Sequence, residues 1–109
     1  MLSQSAINKL KSIVGEKDFV TSKIGMYAYS YDGTMLEGSQ VGIIFPESTQ
    51  EVVEIVNFCR EQGIPLVPRG AGTNVSGGTL PSEGSLVINF SRMKKILEID
   101  LENYVAIVE

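Results

Sequence analysis

The chain has 109 residues, of which 43% are hydrophobic and 20% charged, and its formal net charge is −4. A chain of this length makes one small domain, and its ordinary composition excludes disordered and fibrous proteins. Because the net charge is negative and the only basic cluster is Arg92, Lys94 and Lys95, we expect neither nucleic acid nor an anionic membrane surface as a partner.

Two scarce residue types narrow the chemistry further. The absence of histidine excludes a Ser-His triad, a His-ligated zinc site and attachment of a cofactor through histidine, so any catalysis must depend on a bound group. The carboxylates of the sequence likewise do not suggest a set of metal ligands. The single cysteine, Cys59, cannot form an intramolecular disulfide, which favours a reducing compartment. Without a signal-peptide pattern or an apolar run of membrane-spanning length, we expect a cytoplasmic protein.

The first forty residues predict one helix and then irregular chain. Ser3 or Ser5 can cap a helix that runs to about Val14, and Gly15 is placed to end it. Residues 16–40 show no sustained period, so we expect a long irregular segment there, with Asp32 in a turn.

The next segment predicts a βαβ unit. Residues 41–45 are an unbroken apolar run, and Ser48 and Glu51 have the spacing of a capping box at the start of a helix. The helix carries one apolar stripe and ends at Gly63, before a second apolar run at residues 64–67. The stripe consists of Val52, Ile55, Val56 and Cys59. We expect two parallel strands joined by a right-handed crossover.

Three more strands are predicted in the last part of the chain. Residues 86–89 indicate a third strand, and residues 96–100 and 105–108 indicate a hairpin whose carboxylates lie on a solvated face. The last strand runs into the C-terminus without a closing turn, so we expect the sequence to be a fragment of a longer protein.

A glycine-rich loop at residues 68–78 is the strongest indication of a ligand site. Its small residues permit close backbone approach and positive φ, and its polar residues supply a charge and short donors. The loop residues are Pro68, Arg69, Gly70, Ala71, Gly72, Thr73, Asn74, Val75, Ser76, Gly77 and Gly78. The loop follows a predicted strand end, where open parallel sheets bind ligands, and we expect it to hold a phosphate or diphosphate.

Two familiar phosphate motifs do not fit this loop. The dinucleotide pattern G-x-G-x-x-G fails because Val75 stands where the third glycine is needed. The pattern G-x-x-x-x-G-K-[ST] fails because Gly77 is followed by Gly78 instead of lysine. On composition alone, a flexible connector between strands remains an equal alternative.

The loop closely resembles a known family once its surroundings are included. Residues 68–78, followed by residues 86–89 and 91–93, are similar to the FAD-linked oxidases of the vanillyl-alcohol-oxidase type, which share a PCMH-type FAD-binding domain. Within that family, the pattern is most similar to glycolate oxidase D subunits and D-lactate dehydrogenases. The resemblance extends over residues 26–109.

The resemblance implies an α/β (α+β) fold, the first subdomain of the FAD-binding domain, and non-covalent FAD. It implies that residues 69–78 wrap the diphosphate, that Pro68 also belongs to the cofactor site, and that Pro46, with Leu80 and Pro81, lines the dinucleotide. It divides the chain into an N-terminal helix and irregular segment at 1–40, a parallel βαβ core at 41–90, and a hairpin at 91–109 that begins a second subdomain.

The same resemblance implies an oxidoreductase that passes a hydride from a small 2-hydroxy acid to the flavin. The substrate-positioning residues of the family lie outside these 109 residues, so no catalytic residue is assigned and the isolated chain is expected to be inactive. The alternative is a non-catalytic binding module that forms homo-oligomers through an exposed edge strand.

Overall fold

The computed structural model describes residues 1–34 and 36–109. In chain order its elements are α1 (Gln4–Val14), a 3-10 turn (Glu16–Asp18), β1 (Phe19–Val20), α2 (Lys23–Tyr27), β2 (Gln40–Ile44), α3 (Thr49–Gln62), β3 (Leu66–Arg69), β4 (Ser85–Asn89), β5 (Ile96–Asp100) and β6 (Val105–Val108). No helix in the described part of the chain has the length and hydrophobicity needed to cross a bilayer.

The main sheet has four strands in the order β1-β2-β4-β3. Strands β2 and β3 both run parallel to β4, which lies between them, and β1 pairs antiparallel with β2. The predicted α/β fold with parallel strands around α3 is therefore confirmed, with β4 inserted between the two strands that α3 connects. The carboxyl ends of β2, β4 and β3 consequently meet at one edge of the sheet.

The core lies where helices α1 and α3 cover one face of this sheet. Leu10 from α1 and Ile55 from α3 pack with Ile44, Leu86 and Ile88 in one buried cluster. Each such side chain contributes about 1.5–3 kcal/mol by leaving water. The intervening strand residues Ile43 and Val87 point to the opposite face and are also fully buried, which explains the unbroken apolar runs in both strands.

Helix α3 begins with side-chain caps that differ in one detail from the prediction. The Ser48 hydroxyl accepts a hydrogen bond from the Glu51 N–H at 3.2 Å, as expected. The Glu51 carboxylate accepts from the N–H of Glu47 at 2.7 Å, one residue earlier than a capping box requires. Along the helix, Ile55 and Cys59 are buried, whereas Val56 remains 43% exposed and does not join the core.

Strand β3 starts two residues later than predicted because the N–H of residue 64 forms a hydrogen bond that closes the end of α3. Gly63 adopts a left-handed conformation with φ of 65°, and the N–H of Ile64 donates to the carbonyl of Cys59 at 2.8 Å. Residue 64 therefore closes α3 instead of entering the sheet. The strand extends at its other end to Arg69, which places this arginine at the carboxyl edge.

The expectation of irregular structure throughout residues 16–40 was wrong in part. This segment contains the 3-10 turn, β1 and α2. Strand β1 has only two residues and takes its position from pairing with β2, with Phe19 opposite Ile44. Such a short strand has no detectable period in the sequence.

The hairpin of β5 and β6 has the bounds that the sequence predicted. The Asp100 carboxylate stabilises its turn by accepting from the backbone N–H and side-chain amide of Asn103 at 3.0 and 2.7 Å. The strands pair with each other in a separate two-stranded sheet, and their apolar side chains are exposed.

Candidate functional site

A cavity of about 510 Å³ opens at the carboxyl ends of β3 and β4. Its walls come from the segment before β2, from the start of the glycine loop and from the end of β4. The lining residues are Ala28, Tyr29, Tyr31, Arg69, Gly70, Ala71, Gly72, Thr73, Asn89 and Ser91. The topology thus puts the predicted ligand loop beside a cavity at the sheet edge where ligands bind in parallel α/β folds.

The backbone of the loop offers a row of free donors. The N–H groups of residues 70–76 and of Gly78 donate to no acceptor in the described ranges 1–34 and 36–109. Gly72 and Gly77 adopt positive φ angles of 72° and 74°, which turn the chain sharply without a steric cost. Successive free N–H groups in such turns attract anions, so the loop can hold phosphoryl oxygens.

Asp32 ties the loop to the N-terminal segment. Its carboxylate is buried and accepts from the side-chain amide of Asn74 at 3.0 Å and from the N–H of Gly77 at 3.1 Å. It also accepts from the hydroxyl and the N–H of Thr34. The hydrogen bond from the Thr34 hydroxyl is the main cause that lowers the pKa of Asp32, and burial opposes it. Asp32 therefore forms the expected local turn and also fixes the loop.

Arg69 has main-chain partners that the sequence did not indicate. Its guanidinium is buried and donates to the main-chain carbonyls of Tyr31 at 2.7 Å and Tyr29 at 3.4 Å. It also lies over the Tyr29 ring, 5.6 Å from the centroid. The guanidinium thus lines the cavity and joins the loop to residues 29–31 through Nη1, and its contact with a phosphate stays a prediction.

The structure brings some predicted site residues to the cavity and leaves others apart. Residues 69–73 line it. Asn74 is used within the protein, since its amide donates to Asp32 and its oxygen accepts from Thr79. Pro46 follows β2 at the same sheet edge but is fully buried, and Pro68 lies exposed in β3. Their contacts with a cofactor, like those of Ser76, Gly77 and Gly78, stay predictions.

Sequence reasoning missed Asn89 as a site residue. Asn89 ends β4 and pairs in register with Arg69, so it lines the cavity beside the loop. A buried polar residue ending an apolar strand was the available signal. No group of three or more His, Cys, Asp or Glu side chains that could hold a metal ion occurs among the residues described.

Most of the residues that form this site belong to a part of the chain that matches a known domain family. Residues 41–109 match the family described as "FAD binding domain", which includes the loop, β4 and the hairpin. The chain belongs to this family. FAD is accordingly its cofactor, and the predicted resemblance is confirmed.

Two similar proteins agree with this assignment. Glycolate oxidase subunit GlcD of Bacillus subtilis (strain 168) is 41% identical over 110 residues, which cover 100% of this chain and 23% of that protein. A D-lactate dehydrogenase of Anaerostipes hadrus is 31% identical over 100 residues, or 89% of this chain and 19% of that protein. The chain therefore spans about a quarter or less of the length of these relatives.

A solved structure supports the fold independently. An alkyldihydroxyacetonephosphate synthase superposes with a TM-score of 0.86 over 99% of this chain and 24% of its own. At 19% sequence identity, this likeness concerns the fold alone.

The residues at the cavity fit the phosphate part of FAD. The loop supplies free N–H donors, and a β-carbon built at Gly70 or Gly78 meets no atom within 4 Å, so a ligand can approach the backbone closely there. The cavity volume of about 510 Å³ is within the usual range for ligand sites.

Proposed function

We propose that this chain holds the diphosphate of FAD in a flavin-dependent oxidoreductase that oxidises a small 2-hydroxy acid such as glycolate or D-lactate. Bound FAD supplies the hydride acceptor. The chain's own residues bind and orient the cofactor: the loop amides at residues 70–76 face the phosphoryl oxygens, and Asp32 and Arg69 keep the loop in shape. The residues that position the substrate are assigned to other parts of the enzyme.

The observation that carries this proposal is the row of loop amides, at residues 70–76, that donate to no acceptor within residues 1–34 and 36–109. Because most residues of the loop are exposed, their N–H groups are accessible to a ligand, and successive N–H groups in such turns form a concavity that suits an anion. The similarity to glycolate oxidase subunit GlcD and a D-lactate dehydrogenase supports the choice of substrate class.

The test is a titration of the natural full-length protein with FAD, followed by flavin fluorescence. We expect saturable binding, and we expect glycolate or D-lactate to bleach the bound flavin in the absence of an electron acceptor. Binding without bleaching by either acid would refute the substrate class, and absence of binding would refute the proposal as a whole.

A variant that blocks the loop makes the titration specific. Position 70 has open space around its β-carbon, so Gly70→Leu should fold while its side chain fills the cavity, and FAD affinity should fall at least about tenfold. Ser82→Leu, an exposed loop position outside the cavity, is the matched control and should bind FAD like the wild type. Equal affinities for the two variants would place FAD elsewhere.

We further propose that residues 1–40, 41–90 and 91–109 are respectively the N-terminal segment, the diphosphate-binding core and the beginning of a second subdomain.

We also propose that the protein works in the cytoplasm. The buried free thiol of Cys59 is compatible with this reducing compartment. Expression of the full-length enzyme with a fluorescent tag tests whether it is located in the cytoplasm.

A second candidate function is self-association through an exposed strand edge. The hairpin exposes apolar side chains from both of its strands, and two copies could pair along it. The exposed residues are Ile96, Leu97, Ile99, Val105, Ile107 and Val108. Light scattering of the natural protein distinguishes the candidates: a monomer that binds FAD refutes self-association, and a dimer that dissociates on Ile107→Lys favours it.

A further inference from the structure

Asn89 is a buried polar residue that lines the cavity. It is the last residue of β4, it is 1% exposed, and it lies beside Arg69 in the strand ladder. Its neighbours in the cavity wall are the loop residues 70–73. Burial of an amide side chain is costly unless its polar atoms have partners, so the partners of Asn89 indicate its role.

One end of the Asn89 side chain is fixed by the protein and the other is free. The Oδ1 atom accepts a hydrogen bond from the N–H of Ser91 at 2.9 Å, which sets the orientation of the amide. The Nδ2 atom donates to no acceptor in residues 1–34 or 36–109. Within those ranges no side-chain nitrogen or oxygen is both sealed from solvent and unpartnered, which agrees with access of Nδ2 to the cavity that Asn89 lines.

The surrounding groups decide which ligand atom this donor faces. The backbone groups that the loop offers at residues 70–73 are N–H donors, and the guanidinium of Arg69 lies in the same wall. The Asp32 carboxylate is not part of the cavity lining and is occupied by its own donors. A site that offers these donors and one buried positive charge favours a ligand that presents several negatively charged oxygens.

We propose that Asn89 donates a hydrogen bond from Nδ2 to a phosphoryl oxygen of the FAD diphosphate, opposite the loop amides. The inference rests on the proposed function of the loop. It adds a contact from β4 to a site otherwise formed by the loop after β3. The diphosphate is then held between the ends of two adjacent parallel strands, which restricts its rotation more than the loop alone.

Two substitutions remove the donor while retaining an acceptor for Ser91. Asn89→Asp replaces the amide nitrogen by an oxygen and adds negative charge, and Asn89→Ser shortens the side chain without a charge. We expect FAD binding to weaken about tenfold in Asn89→Ser and more in Asn89→Asp. Asn57→Asp, the same charge change at an exposed position of α3, should leave the affinity unchanged.

The measurements are made on the natural full-length protein, and unfolding without FAD is recorded first. If Asn89→Asp does not fold, Asn89→Ser alone decides. Displacement of FAD by ADP and by riboflavin then locates the contact: the affinity for ADP should fall with that for FAD, whereas the affinity for riboflavin should not change.

The possible results separate this inference from the proposed function. A folded Asn89→Ser variant that binds FAD as tightly as the wild type overturns the contact and leaves the function standing. Loss of riboflavin affinity instead of ADP affinity overturns the assignment to the diphosphate. A wild-type protein that does not bind FAD overturns the function and this inference together.

Discussion

Gly72 lies directly against the guanidinium of Arg69, so that a β-carbon at position 72 would overlap Nη2, Cζ and Nε of the arginine. Arg69 is buried, and to withdraw it would have to give up its hydrogen bonds to the carbonyls of Tyr29 and Tyr31. Gly72 also has a φ of 72°, which disfavours any side chain. The loop and the N-terminal segment therefore fit together around a glycine at this position.

The first prediction is that Gly72→Ala destabilises the protein even without FAD. Strain at positive φ and displacement of Arg69 should together reduce the free energy of unfolding by about 2–3 kcal/mol. Urea denaturation measures the change. Gly70→Ala is the matched control, since its β-carbon meets no atom within 4 Å and it should stay within about 0.5 kcal/mol of the wild type. Similar losses in the two variants would contradict the arrangement around Arg69.

The second prediction concerns the link between Asp32 and the loop. Asp32→Ala removes the acceptor for Asn74 and for the N–H of Gly77, so the loop should lose its fixed shape and FAD affinity should fall about tenfold. Asp100→Ala is the control, because Asp100 accepts from Asn103 within the hairpin turn and has no contact with the loop. Unchanged FAD affinity in Asp32→Ala would refute the positioning role.

The same carboxylate makes a pH dependence predictable. The hydrogen bond from the Thr34 hydroxyl, followed by smaller bonds that include the Gly77 N–H, lowers the pKa of Asp32 in the folded state. The contribution of Asp32 to stability is therefore complete above its unfolded pKa of about 3.9 and is lost as the pH falls through the lower folded pKa. Urea midpoints should decline less on acidification in Asp32→Asn than in the wild type. A parallel decline would contradict the shift.

Local signals predicted the helices and strands well where neighbouring residues decide the structure. Ser48 and Gly63 mark the ends of α3, and the spacing of apolar residues gives the hairpin with its observed bounds. The loop and its cofactor family were likewise recognisable, because glycine and small polar residues occur together in sequence.

The arrangement that shapes the site could not be predicted, because its contacts join distant residues. Arg69 was recognisable as the charged residue of the loop, but its hydrogen bonds to main-chain carbonyls 38 and 40 residues earlier could not be predicted, because carbonyls carry no residue-specific signal. The loop partners of Asp32 lie 42 and 45 residues later. The position of β4 between β2 and β3 is a further long-range feature that the strand pattern leaves open.

The third prediction compares two ion pairs that differ in burial. Arg92 lies 2.6 Å from the Asp18 carboxylate, whose side chain is 2% exposed, and the pair joins the 3-10 turn to the chain after β4. Arg92→Met leaves this carboxylate without its cation and should cost about 1–3 kcal/mol. Lys11→Met breaks the pair with Glu16, whose side chain is 85% exposed, and should leave the urea midpoint unchanged. Urea denaturation distinguishes these values, and equal costs would show that Asp18 does not depend on Arg92.

The fourth prediction concerns Cys59, a residue of α3 whose side chain belongs to the core cluster. Burial raises the pKa of its thiol to about 11, whereas the unfolded chain should ionise near 8.5. Above about pH 8.5 the thiol ionises in the unfolded chain but stays protonated in the folded protein. The free energy of unfolding should therefore fall by about 1 kcal/mol as the pH rises to about 9.5. Cys59→Ala should lower stability at neutral pH through the lost packing but should abolish this part of the alkaline decline.

A thiol reagent adds a second measurement on Cys59. At mildly alkaline pH, Cys59 of the folded protein should react only at the rate of unfolding, and rapid labelling of the folded protein would contradict the raised pKa.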